Sequence, residues 1–140
     1  REELLMPIMN DIRATMDTAL ASVSGLPDIA FENAPFEQVA GTPHLRTGLF
    51  LTSRRPAVRG PSPQHRYQGL YQVTVAVPTD RGTGEAFDYA DLIMTEFDGS
   101  SDIVGADVTV SIEYAELGGQ VFNDPFFLLP VQIAWYVYSD

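Results

Sequence analysis

A chain of 140 residues that is 45% hydrophobic, 11% aromatic and 19% charged has the size and composition of one ordered domain, too short for a two-domain enzyme and too apolar for a disordered segment. It contains no cysteine, which excludes disulfides, thiol nucleophiles, iron–sulfur clusters and Cys-type zinc sites, and no apolar run near the roughly 18 residues a membrane span needs. Nineteen acids against eight basic residues, all arginine, give a net charge of −11, and the signs are segregated: residues 38–79 hold no acid and five arginines (Arg46, Arg54, Arg55, Arg59 and Arg66), while the remainder holds every acid and three arginines, a net −16.

Because Arg1 stands first, an initiator Met is expected to have preceded it, and nothing that follows reads as a leader peptide. Leu5, Met9, Ile12, Met16, Leu20 and Val23 recur at steps of three and four, the pattern of an amphipathic helix, with Pro7 in its first turn and Gly25 and Pro27 ending it. A short strand is expected over Ile29 to Asn33, followed by turn-like Ala34-Pro35-Phe36 and Gly41-Thr42-Pro43. A second strand covers His44 to Thr52, with Leu45, Leu49 and Leu51 on one side. Residues 53–66 hold three prolines and four arginines without a period, so they read as a long Arg/Pro-rich loop of a length that is usually functional.

Tyr67 to Val77 alternates cleanly, placing Tyr71, Val73, Val75 and Val77 on one strand face. Ala86, Ala90, Ile93, Met94 and Phe97 form the stripe of a second helix that Gly99 ends. Val108, Val110, Ile112 and Tyr114 alternate as a fourth strand. A connection through Gly118-Gly119 and Asn123-Asp124-Pro125 leads to a last strand, Phe127 to Tyr138. Pro130 lies inside that strand and cannot donate to a ladder, which argues for an edge position or a bulge. The expected fold is α+β: a mixed or antiparallel sheet of about five strands, two helices packed on one face, and the long loop, all in a single domain over residues 1–140.

No group of residues carries a recognisable chemistry. Asp88 and Asp91 share a helix face and could hold a metal, but read more simply as a solvated surface. Gly82-Thr83-Gly84 lacks the lysine and third glycine of a phosphate loop and is flanked by Asp80 and Glu85, so it is a helix-entry turn. His44, His65, Ser53 and Ser111 supply general-base and nucleophile types with no signature joining them, and no catalytic or metal residue is assigned. The arginines suit a protein interface better than nucleic acid. Guanidinium binds carboxylate in bidentate fashion, no aromatic lies between Phe50 and Tyr67, and the acidic body repels phosphate. Arg46, Arg54, Arg55, Arg59 and Arg66 are therefore the expected contact residues, with a second, acidic copy of the chain as a natural partner and a merely solvated loop as the alternative. Tyr136 and Tyr138 make the last strand apolar on both faces, so that exposure of one face would mark a further contact patch.

Phe31-Glu-Asn-Ala-Pro-Phe36, then Gly41-Thr-Pro-His-Leu-Arg46 leading into a strand, resemble the phage tail terminator-like family. Leu70 to Val77, the Gly82-x-Gly84 turn before the second helix, and the closing Pro130-Val-Gln-Ile-Ala-Trp-Tyr136 agree, so the likeness spans nearly the whole chain. Phe31 stands where Trp is more usual and Glu37-Gln38 where a proline is common. The resemblance implies a non-enzymatic, cofactor-free structural protein of the virion, assembled in the host cytoplasm. It would form a homo-oligomeric ring, of six copies, that caps the tail tube, stops its growth and offers a surface to the head-completion or connector protein. Genomic DNA would pass through the ring without specific binding, and no membrane is involved; which acids line the opening is left unassigned. The alternatives are a head-completion or connector component of the same junction, and, from another class, a small hydrolase or ligand-binding domain whose His44, His65 and Ser53 would have to converge in one pocket.

Overall fold

The longest alternating runs of the sequence become the longest strands. The computed structural model describes residues 8–32, 36–37, 41–56, 64–79, 83–106, 108–123 and 125–139. In chain order these form α1 (Ile8–Ala21), β1 (Asp28–Ala30), β2 (His44–Pro56), β3 (His65–Pro78), α2 (Gly84–Glu96), β4 (Ile103–Val104), β5 (Thr109–Leu117), β6 (Val121–Asn123) and β7 (Phe126–Ser139). The sheet order is β1-β2-β3-β7-β5-β4, with β6 paired to β7; β1 runs parallel to β2 and the other pairs are antiparallel. The α+β class holds, but the sheet has seven strands rather than about five. The two extra ones, β4 and β6, have two and three residues, too few for alternation to reveal. Leu5 and Pro7, expected in the first helix, lie outside the described residues.

Both helices pack on one face of the sheet. Ile12, Met16 and Leu20 of α1 and Ala86, Ala90 and Ile93 of α2 join Tyr71, Val73, Val75 and Val77 of β3 and the odd-numbered positions Phe127 to Val137 of β7 in one buried cluster. The expected stripes thus point inward, because a 3.6-residue stripe laid over a two-residue alternation buries both apolar sets at once. Gly25 and Gly99, which follow the helices, adopt φ of +87° and +86°, the left-handed turn that glycine takes most cheaply. Tyr71 fastens α1 to the sheet by donating its buried hydroxyl to Asp17 Oδ1.

Two bulges change which side chains reach which face. On β2, Leu51 pairs with Gly69 but Ser53 with Gln68, so Thr52 is an extra residue, and its hydroxyl donates to the Gln68 carbonyl at 3.1 Å. On β5, Ile112 pairs with Trp135 but Tyr114 with Ala134, making Glu113 the extra residue. An inserted residue reverses the alternation beyond it. Tyr114, expected beside Val110 and Ile112, is therefore turned to the opposite face and is 47% exposed. The expected loop over 53–66 is also shortened at both ends: β2 runs on to Pro56 and β3 starts at His65, with Arg54 opposite Tyr67 and Arg55 opposite Arg66. Residues 57–63, and Arg59 with them, lie outside the described residues.

Pro130 does not mark an edge. It sits opposite Thr74 in β7, between β3 and the β5–β6 pair. Its carbonyl accepts from Gly118 N at 2.8 Å. Within a strand a residue's N and C=O point to the same side, so the missing N–H faces the gap where β5 has ended and β6 has not begun.

Gly69 lies between the β2 bulge and the largest buried side chain, Trp135. A Cβ on it would collide with the Phe50 carbonyl oxygen and stand 2.9 Å from Trp135 Cζ2. Gly69→Ala is expected to cost roughly 2–3 kcal/mol, the usual cost of overpacking. Gly119→Ala, which meets nothing within 4 Å, should change stability by less than about 0.5 kcal/mol. Urea midpoints of the two variants check this, and equal losses would contradict it.

Candidate functional site

Strands β2, β3 and β7 continue together to Pro56, His65 and Ser139, and four of the expected contact side chains gather at this end around Arg66. Its guanidinium lies 4.4 Å from the ring centre of Tyr136 and 5.7 Å from that of Tyr138. It donates to the Tyr138 hydroxyl at 3.1 Å and to Gln68 Oε1 at 3.1 Å, and stands 3.6 Å from Glu113 Oε2. Arg54, on the helix-bearing side, donates to the Tyr67 hydroxyl at 2.7 Å with its guanidinium 5.3 Å from that ring centre. Arg55 donates to Ser53 Oγ at 3.0 Å. The structure therefore brings Arg55, Arg66, Tyr136 and Tyr138 together on the helix-free face, with Arg54 at the same end on the opposite face. It leaves Arg46 apart, eight residues up β2 and roughly 26 Å away at the usual rise per residue, where Arg46 Nε donates to His44 Nε2 at 3.0 Å.

No aromatic separates these arginines in the sequence, yet the sheet supplies three from neighbouring strands. Such cation–π stacks hold a guanidinium without neutralising it. They also cover the ring faces that base stacking would require.

The sheet face without helices carries a second feature. Phe50, Leu70, Ala134 and Tyr114 stand in direct register across β2, β3, β7 and β5, forming one apolar row. Phe50 is 50% exposed and Tyr138, two rows on, 48%. The sequence shows Phe50 and Tyr114 as ordinary strand residues; only the pairing register places them together, and Tyr114 is there because of the bulge.

On the other side of the domain, Asp88, Asp91 and Glu96 are exposed on α2, and no ion pair to any of them occurs among the described residues. Among the described residues no group of three His, Asp or Glu side chains is placed to hold a metal ion. The expected helix-entry turn is consistent with α2 starting at Gly84: Thr83 makes no side-chain cap, and its carbonyl accepts from Phe87 N at 3.0 Å.

His44 and His65 stand at opposite ends of the β2–β3 ribbon, roughly 40 Å apart along the strands. His44 is buried between the rings of Phe36 and Phe126, with ring centres 5.2 and 4.9 Å away. Ser53 shares the far end with His65, its hydroxyl taken up by Arg55. A cleft of about 450 Å³ between α1 and β4, walled by Asp11, Thr15, Thr18, Ile103, Val104 and Gly105, contains none of His44, His65, Ser53 and Ser111. His44 thus stands apart from His65 and Ser53, and the three do not line one pocket among the described residues. No helix among the described residues is long and apolar enough to cross a membrane.

Burial, and then the neighbouring Arg46 charge, hold His44 below the ordinary imidazole pKa. The unfolded chain then binds more protons than the folded one below about pH 6.5, so stability should fall as pH drops through that window, by up to about 1.4 kcal/mol per unit. Urea midpoints between pH 8 and pH 5 should show this slope in the natural chain and lose it in His44→Phe. An unchanged slope in His44→Phe would contradict the assignment.

A family profile described as "Phage tail terminator protein" matches residues 8–135. A solved protein whose name states no function superposes with a TM-score of 0.68 at 20% identity, covering 93% of this chain and 92% of its own. A chain of the virion of a native gene transfer agent particle superposes with a TM-score of 0.66 at 12% identity, covering 96% of this chain and 100% of its own. No curated protein matches the sequence. These two likenesses are of fold, whereas the profile spans nearly every described element from α1 to β7: the chain belongs to the phage tail terminator family.

Proposed function

We propose that this protein closes the end of a phage tail tube as a ring of copies, six in number, halting tube growth and presenting its other face to the head-completion or connector protein. The observation that carries this reading is the family match from α1 to β7. It is supported by a fold shared over 96% of the chain with a chain of a gene transfer agent virion, and on this reading the protein is assembled in the host cytoplasm and resides in the virion. Nothing in the reading calls for a catalytic step or a cofactor, in keeping with histidines that stand at opposite ends of the sheet.

Physical scale agrees. A domain of 140 residues has a radius of gyration near 14 Å and hence a diameter of about 37 Å. Six equal bodies in a touching ring leave an opening one body wide, enough for a DNA duplex. A chain with a net charge of −11 repels that duplex overall, since phosphate binding relies on cations displacing counterions.

The test is tail assembly with and without the protein. Without it, tubes should grow past their normal length and fail to join heads, and adding the protein back should restore both. Tubes of normal length joined to heads in its absence would overturn the reading. In a companion filter-binding assay, duplex DNA should show no saturable binding below about 10⁻⁴ M at physiological salt; a tight complex would contradict the passive opening.

A further inference from the structure

Two sets of like charge lie on opposite sides of one copy, Arg55 and Arg66 on the helix-free sheet face and Asp88 and Asp91 on α2. Among the described residues Arg55 has no carboxylate partner, and Arg66 has only Glu113, at 3.6 Å. Arg55 and Arg66 moreover stand directly opposite each other on β2 and β3, an arrangement of like charges that costs stability inside a single sheet. On the far side of the helix layer, Asp88 and Asp91 are exposed on the outward face of α2 beside Leu92, itself 38% exposed. Ala86, Ala90 and Ile93 fix that orientation by burying the opposite stripe against the sheet. The sheet-to-helix spacing and the helix's own diameter separate the two sets by roughly 20 Å. They cannot meet within one copy.

The shapes correspond as well. The row Phe50–Leu70–Ala134–Tyr114 crosses three inter-strand gaps, about 14 Å, and α2, with 13 residues, is about 20 Å long. Asp88 and Asp91 are about 4.5 Å apart along the helix axis, close to the separation of directly opposed residues such as Arg55 and Arg66.

We infer that the helix-free sheet face of one copy docks on the outward face of α2 of the next, Arg55 and Arg66 meeting Asp88 and Asp91 while Leu92 settles against the Phe50–Tyr114 row. This deepens the ring reading and rests on it. Because the two patches differ, the contact is head-to-tail, which produces a closed ring or an open helix rather than a two-fold dimer. A neighbouring carboxylate pair would relieve the opposed arginines, so the cost carried by one copy becomes attraction between two.

Sedimentation velocity over a concentration series tests this, using an Arg55→Glu/Arg66→Glu variant and an Asp88→Arg/Asp91→Arg variant. Each alone should associate about tenfold or more weakly than the natural chain, since each sets like charges face to face. An equimolar mixture should recover association, because every contact then joins opposite signs. Arg55→Glu alone, which spares the Arg66 stack, should give a smaller loss and serves if the double variant does not fold. Variants that associate like the natural chain, or a mixture that stays weak, would overturn the docking of these faces while leaving the ring intact. A natural chain that remains monomeric throughout the series would overturn the self-association on which both readings rest.

Discussion

Residue-by-residue pairing of β3 with β7, from His65 with Ser139 to Pro78 with Phe126, is the constraint on which the rest of the molecule depends. Fourteen residues of strand extend roughly 46 Å, whereas helices of 14 and 13 residues span only about 20 Å each. Two such helices cannot cover that sheet on one face, let alone on both. The consequences are an apolar core under the helices, a second face left without helices, and a three-stranded extension where Arg54, Arg55 and Arg66 are displayed. Gly69 and Trp135 sit where core and extension join, and the two bulges on either side of them turn Tyr114 and the arginines to their final faces.

The arginines illustrate how a charged segment becomes regular structure. Each finds an aromatic or polar side chain on its own or a neighbouring strand: Tyr67 for Arg54, Ser53 for Arg55, Tyr136 and Tyr138 for Arg66. These contacts position the guanidiniums and leave most of their charge uncompensated. In a chain whose remaining residues sum to −16, the counter-charge proposed for them is the acidic surface of another copy. The same charge balance disfavours phosphate, so the proposed adhesion between subunits and the proposed indifference to DNA would both follow from one distribution of sign.

Much of this was legible in the sequence. The stripes of α1 and α2 and the alternation of β3 and β7 are long enough to determine element type, and the segregation of arginine from acid is visible without any fold. Other features were hidden for identifiable reasons. β4 and β6, of two and three residues, are too short for an alternation to stand out. Proline and arginine content disguised the end of β2 as a loop, although its pairing with β3 continues to Pro56. A bulge is one extra residue, so Thr52 and Glu113 leave no periodic trace while redirecting everything beyond them. Pro130 reads as an edge signal and is instead accommodated by a break in the neighbouring strands. The Arg66 stack joins residues 70 positions apart, which only the β3–β7 register brings together.

The most direct test of the account is a side-chain-resolution density map of the protein in place at the end of a tail. The account predicts a ring in which the face bearing Phe50, Arg66 and Tyr138 is covered by α2 of the adjacent copy. A ring that leaves this face open to bulk water, with subunits joined elsewhere, would contradict it.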